Sequence, residues 1–211
     1  MIPPGGARMS VITSIADLEA LYEAAPSEAA RLKVAPELTP AYRAWIGASR
    51  FCLLATVGPE GTDCSPRGDD GPVVEMPGDG RILMPDWRGN NRLDSLRNIV
   101  RDGRVSLAFL IPGATIMVRV NGRARVETAP ALIARFSRKG IAPRSVIVIE
   151  PAEVYAQCAR AILRSGLWEQ DRAAAADLPR MGDFLAELSE GEIDAACFED
   201  QWARRAPETL W

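Results

Sequence analysis

Phe51-Cys-Leu-Leu-Ala-Thr-Val57 is an apolar run bounded by Gly58-Pro-Glu-Gly61, and together they read as a buried strand entering a tight turn. Thr62 to Pro66 returns antiparallel. Working outward, Val73 to Met76, the turn Pro77-Gly-Asp-Gly80 and Arg81 to Pro85 predict a second hairpin. Val105 to Ile111 is another apolar run, and Pro112-Gly113 turns it into a strand over Thr115 to Val126. In that strand Ile116, Val118 and Val120 alternate with Met117, Arg119 and Asn121, so the two sets take opposite faces. Asn121-Gly122 marks a bulge or bend. Ser145 to Ile149 carries a last strand, within Arg144 to Tyr155.

Six or seven strands with short turns and no strand–helix–strand rhythm predict a mainly β protein with peripheral helices (α+β). The specific expectation is an antiparallel barrel wrapped by helices. Short helices are expected over 14–49, where Ser14 can cap the first and Ala41 to Ala48 forms another. Further helices are expected over Pro130 to Arg138, Ala159 to Ser165, Arg180 to Leu188 and about Glu192 to Arg205. The resulting division is a helical segment at 1–50, a barrel at 51–170 and an acidic helical extension at 171–211.

The 211 residues are ample for a core without metal or disulfide staples. Histidine is absent, which excludes Ser-His-Asp and Cys-His triads, His-containing zinc sites and histidine acid/base chemistry. Lysine occurs only at Lys33 and Lys139, so 23 of the 25 basic residues are arginine. If the protein is an enzyme, a cofactor is the natural reactive group. The four cysteines have no ligand spacing, and Cys52 reads as a small core residue.

Met1 to Ser14 shows no secretory core, and no stretch has the length of a membrane helix. A soluble, reduced, cytoplasmic protein is expected, with no membrane partner. A net charge of −3 argues against nucleic acid. The arginine-rich middle of the chain nevertheless suits a small anion. No G-x-G-x-x-G after a strand, no P-loop and no G-x-S-x-G elbow occurs.

Ser65 to Arg92 is the most informative stretch. A helical wheel over Asn90 to Asp102 places Leu93, Leu96, Ile99 and Val100 on a buried side and Arg97 and Arg101 toward solvent, where Asp94 can pair with Arg97. Arg92 sits in the first turn, where free amides, the helix dipole and its own fork suit phosphate oxygens. Arg67, between Pro66 and Gly68, can approach the same anion. Arg92 can equally pair with an acid such as Asp69 or Asp86, and both readings stand at this point. Asp69 and Asp70 read as loop acids. Arg119 is either a solvated strand residue or a charge in a ligand cleft.

The segments F-C-L-L-A-T-V-G-P-E-G-T-D-C-S-P-R-G-D, I-L-M-P-D-W-R-G-N-N-R-L-D-S-L-R-N-I, V-S-L-A-F-L-I-P-G and V-R-V-N-G-R-A, with Cys158-Ala-Arg-Ala-Ile-Leu-Arg-Ser-Gly-Leu-Trp168, resemble the pyridoxamine 5′-phosphate oxidase-related flavoproteins. Within them the chain is similar to a bacterial branch of FMN-dependent enzymes of unsettled substrate. The resemblance covers about residues 38–170 and implies an FMN-binding split β-barrel, working as a homodimer with flavin sites at the subunit interface.

By position it implies Arg67 and Arg92 as phosphate-binding cations, Met84, Pro85 and Asp86 along the flavin, and Asn91 as a contact at the helix start. Met117 falls where the oxidase has a glutamine against the isoalloxazine, and Arg119 shares its face. Arg164, Ser165 and Trp168 would reach the partner subunit's flavin. No protein residue is expected as a catalytic nucleophile, and no metal is expected.

The oxidase's R-x-x-x-x-K arrangement has no lysine here, and its substrate-binding histidine has no counterpart, which disfavours vitamin B6 oxidation. The implied activity is FMN-dependent transfer of hydride or electrons between a reduced nicotinamide, or a similar donor, and a small substrate. A non-catalytic FMN carrier or sensor is the alternative. A deazaflavin-binding relative is another, and a His-ligated haem is impossible without histidine.

Overall fold

A computed structural model describes residues 11–22, 25–138, 140–169 and 177–209. Lys139, the first ten residues of the leader reading, residue 170 at the end of the barrel segment and residues 171–176 of the acidic extension lie outside the described residues. The chain divides into two compact units, Met1–Lys33 and Val34–Trp211. The first holds α1 (Ile15–Tyr22) and α2 (Glu28–Leu32). The Ser14 hydroxyl accepts from the Asp17 amide at 3.1 Å, which is the cap expected there.

The second unit runs α3 (Pro40–Ala48), β1 (Phe51–Gly58), β2 (Gly61–Gly68), β3 (Ile82–Asp86), α4 (Asp94–Arg101), β4 (Arg104–Leu110), β5 (Met117–Glu127), α5 (Pro130–Arg135), β6 (Ser145–Gln157), α6 (Arg160–Ser165), α7 (Met181–Leu188) and α8 (Ala195–Arg205). All strand pairings are antiparallel. Among the described residues the sheet order is β2-β1-β4-β5-β6-β3. The sheet curls into a half-barrel whose two edges are β2 and β3.

Alternation along β1 sends Cys52, Leu54 and Thr56 inward and leaves Phe51 and Leu53 exposed. The inward set joins Ile46, Leu107, Phe109, Val118, Val120, Ile147 and Ile149 in the main core. The run Ser145–Ile149 is buried throughout because it is covered on both faces. Val146 and Val148 pack with Leu83 and Phe136 in a second cluster, while Ile147 and Ile149 face the main core.

Three local expectations are corrected. The hairpin over Val73 to Pro85 reduces to a single bridge, Glu75 with Leu83, because Val73 and Val74 are spent as core side chains rather than in a ladder. The helix after β3 starts late, since Asn91 and Leu93 have φ of 60° and 63°, which interrupts any right-handed turn. Its buried face is Ser95, Asn98 and Ile99, whereas Leu93 and Val100 are exposed. Ile99 and Leu96 keep to the core side, and polar pairing adds two residues to it: Asn98 Nδ2 donates to Thr56 Oγ1 at 3.1 Å and Ser95 Oγ to Asp63 Oδ2 at 2.6 Å. α5 ends at Arg135, three residues short of the expected Arg138.

The bulge lies where Asn121-Gly122 predicts it, with the β5–β6 register shifting between those residues. Asn121 anchors it, accepting from Ser106 Oγ at 2.7 Å and donating to Glu153 Oε2 at 2.6 Å.

Candidate functional site

The edges β2 and β3 share no backbone ladder, so side chains span the opening. Arg67 near the end of β2 donates from Nη1 to Asp86 Oδ1, at the end of β3, at 2.7 Å. Immediately beyond both strands, Trp87 Nε1 donates to Asp69 Oδ2 at 3.1 Å. Two cavities border this seam. One, of about 410 Å³, is lined by residues that include Asp63, Ser65, Arg67, Asp86, Arg92 and Arg144. The other, of about 500 Å³, is lined by residues that include Arg67, Asp69, Met84, Pro85 and Trp87.

The first cavity gathers four guanidinium groups, Arg67, Arg88, Arg92 and Arg144, against the carboxylates Asp63, Asp86 and Asp94. Arg67 is the pivot because it lines both cavities. Its side chain is 21% exposed and that of Asp86 14%. Among the described residues, Arg67 Nε is the buried side-chain polar atom left without a hydrogen-bond partner. A buried donor on a cation is costly to leave unmet, so the site has capacity for a further acceptor. Such a donor on a guanidinium fits a phosphate oxygen.

Arg92 is held differently. Its side chain is 75% exposed and its Nε donates to Asp94 Oδ2 at 2.8 Å. The acid-pairing reading of Arg92 is therefore met, but by Asp94. Asp86 is engaged by Arg67, and Asp69 by Trp87 and Arg138. Hydrogen bonding to Asp94 raises the Arg92 pKa, with the Asp94 charge adding to it. Asn91 lines the same cavity and accepts from Arg144 Nη1 at 3.2 Å through its side-chain oxygen. Leu83 exchanges both backbone bonds with Glu75, so alternation turns the Met84 and Asp86 amides toward β6, and Pro85 between them has no N–H.

The structure brings Arg67, Met84, Pro85, Asp86, Asn91 and Arg92 to these two cavities. Met117, Arg119, Arg164, Ser165 and Trp168 line neither. Arg119 stacks over the Tyr155 ring, 5.2 Å from its centroid. Trp168 Nε1 donates to the Ala114 carbonyl at 2.7 Å, and Ser165 Oγ to that of Ile162 at 3.0 Å.

Sequence reasoning missed Arg144, Trp87, Arg138 and the trio Asp63, Ser65 and Ser95. In that trio Ser65 Oγ donates to Asp63 Oδ2 at 2.8 Å and lies 3.0 Å from Ser95 Oγ. Only the S-P-R-G-D-D-G segment and the tryptophan after Asp86 carried any signal for these contacts. Asp69 lies in the loop that follows β2, as expected, but it is not a solvated acid. Its side chain is 1% exposed, and it accepts from Arg138 Nη1 at 2.6 Å and from the Gly71 amide at 3.3 Å. Burial alone would raise the Asp69 pKa, but hydrogen bonding with Asp70, Gly71, Arg138 and Trp87 outweighs it and holds the pKa below the ordinary value.

A depressed carboxylate stabilises the fold above its unfolded pKa of about 4, and that stability is lost as pH falls through the lower folded value. Urea unfolding at about pH 5 and about pH 3 should show a loss of stability for the wild type and a smaller loss for Asp69→Asn. Cys52, beneath the site, is no competing nucleophile. Burial pushes its thiol up to about 12 despite the opposing Arg67 charge. Among the described residues no His/Cys/Asp/Glu group is arranged to hold a metal ion, and no helix is long and apolar enough to cross a membrane.

Comparison with known proteins follows the same lines. No curated protein matches significantly. Among solved structures, HupZ from Group A Streptococcus is 18% identical over 57% of this chain and 94% of its own, with a TM-score of 0.46. General Stress Protein 26 from Bacillus anthracis str. Sterne is 17% identical over 54% and 88%, with a TM-score of 0.41. An F420 reductase is 18% identical over 55% and 97%, with a TM-score of 0.41. The family model for pyridoxamine 5′-phosphate oxidase matches residues 38–158, more than half of the chain and the whole six-stranded sheet with its seam. The chain belongs to the pyridoxamine 5′-phosphate oxidase family, whose split barrel is a flavin-binding, oxidoreductase-type fold.

Proposed function

We propose that this chain binds FMN in the seam between β2 and β3 and acts as an FMN-dependent oxidoreductase on a small substrate, with a reduced nicotinamide or a similar donor as reductant. The observation that carries the reading is the unmet Arg67 Nε beside the arginine-lined cavity. Arg67 and Arg92 would hold the phosphate, with Asn91 beside them. Met84, Pro85 and Asp86 would lie along the ring. FMN, when bound, supplies hydride or electron transfer through its own ring.

The protein's part is to anchor, orient and shield. Asp86 fixes Arg67 across the opening, so the fork is preorganised before any ligand arrives. Arg92, tied only to an exposed acid, can turn from Asp94 to the phosphate at small cost. A homodimer with flavin sites at its interface suits the exposed apolar Phe51 and Leu53 on the outer face of β1. In that assembly Arg164, Ser165 and Trp168 would reach the partner subunit's flavin, and Met117 and Arg119 would lie on the ring or substrate side.

The visible absorption spectrum of the purified protein, with FMN added if none is retained, tests binding. NADH or NADPH bleaching faster than that of free FMN, followed by reoxidation with an acceptor, tests catalysis. Protein that binds no FMN overturns the reading. Bound FMN reduced no faster than free flavin would leave a carrier or sensor. Arg92→Ala should weaken FMN binding about tenfold, the value of one charge-assisted contact, and leave unfolding stability essentially unchanged. Titration of FMN fluorescence and urea unfolding check the two halves of that expectation.

A further inference from the structure

We infer that Trp87 is the aromatic wall against which the bound ring system packs, and that Asp69 and Arg138 form the clamp that sets its indole. The inference rests on the flavin reading above and adds to it the element that orients the ring.

The indole is held on its edge and on its face. Nε1 donates to Asp69 Oδ2 at 3.1 Å, and the Arg138 guanidinium carbon lies 5.9 Å from the ring centroid, within cation–π range. Arg138 Nη1 donates to both Asp69 Oδ1 and Asp70 Oδ1, each at 2.6 Å. Asp69 therefore uses one oxygen for the arginine and the Gly71 amide and the other for the indole.

Sequestering a carboxylate at 1% exposure is costly unless every lone pair is engaged. Here the engagement is spent on an aromatic ring that borders both cavities. The clamp also has a firm backing, since Trp87 packs against the cluster of Leu83, Phe136, Val146 and Val148. A tryptophan held only by a core could shift with its neighbours; this one is fixed by polar contacts on the cavity side of the core. An electron-rich indole in that position suits a planar, electron-poor heteroaromatic ligand. Asp69 is a positioning residue, acting through Trp87.

The test uses the full chain saturated with FMN, comparing wild type, Trp87→Phe, Asp69→Leu and Asp69→Asn by flavin emission and visible circular dichroism. An indole in contact with flavin quenches its emission, and phenylalanine does not. The expected result is quenched emission in the wild type and a several-fold rise in Trp87→Phe with FMN affinity kept within about threefold, because the aromatic face remains. Asp69→Leu should change the flavin dichroism and weaken binding about tenfold, while Asp69→Asn, which still accepts from the indole, restores most of the wild-type signal. Wild-type emission and dichroism in both Trp87→Phe and Asp69→Leu would overturn the inference while leaving FMN binding intact. A wild type that binds no FMN would overturn the underlying reading and this one with it. Trp87→Phe keeps the test decisive if Asp69→Leu fails to fold.

Discussion

Arg67→Ala should reduce FMN affinity by about a hundredfold or more, the largest ligand effect expected of any single side chain in this protein. Three losses coincide at that position. The substitution removes a charge shared by both cavities, a fork whose Nε is buried and unmet, and the ion pair that spans β2 and β3. The last loss also touches stability. Asp86, 14% exposed, would be left without its cation, at a cost of roughly 1–3 kcal/mol, below the value for a fully buried pair because solvent reaches both groups. Arg67→Lys separates the contributions. It keeps the charge and can still meet Asp86, so urea unfolding should move little. It lacks the planar fork, so FMN titration should still show a loss of about tenfold or more. Equal affinity in Arg67→Lys and wild type would remove the fork from the account.

Gly122→Ala should cost about 2–4 kcal/mol of folding stability, a large effect for a single methyl group. A Cβ at that position would collide with the Glu150 carbonyl oxygen and lie 3.1 Å from Pro151 Cα. Both are backbone atoms of β6, so no side-chain rotation relieves the contact. Gly122 sits at the register shift and faces Pro151 across the ladder. Gly47→Ala makes the control, because its Cβ would meet only Met76 Cε, at 3.6 Å. It lies inside α3, so replacing glycine should stabilise the fold by about 0.5–1 kcal/mol. Opposite signs in urea unfolding of the two variants are the expected result, and two near-neutral variants would contradict it.

The sequence by itself determined six strands and the bulge, because each rests on neighbours within a few residues, though not the absence of a strand over Val73 to Met76. Phe51 to Val57, Val105 to Ile111 and the alternation from Met117 onward carry their own period, and Pro and Gly mark the ends. It also singled out Arg67 and Arg92, since cations beside a strand end and a helix start suit an anion whatever surrounds them. Of the apolar seat that the periodicity of Leu93, Leu96, Ile99 and Val100 suggested for α4, it placed Leu96 and Ile99 but misjudged Leu93 and Val100. Asp63 and Thr56, more than thirty residues away in sequence, claim Ser95 and Asn98 instead.

Tertiary structure alone decided what stands across the seam. β2 and β3 occupy opposite ends of the sheet order, and curling brings their ends together. Arg67 thus meets Asp86, Asp69 meets Trp87, and Arg144 comes to Asn91. No local pattern encodes those meetings, because they arise from sheet curvature summed over six strands. The same curvature buries the loop acid Asp69 against Trp87 and Arg138 and leaves an Arg67 nitrogen unmet beside the seam.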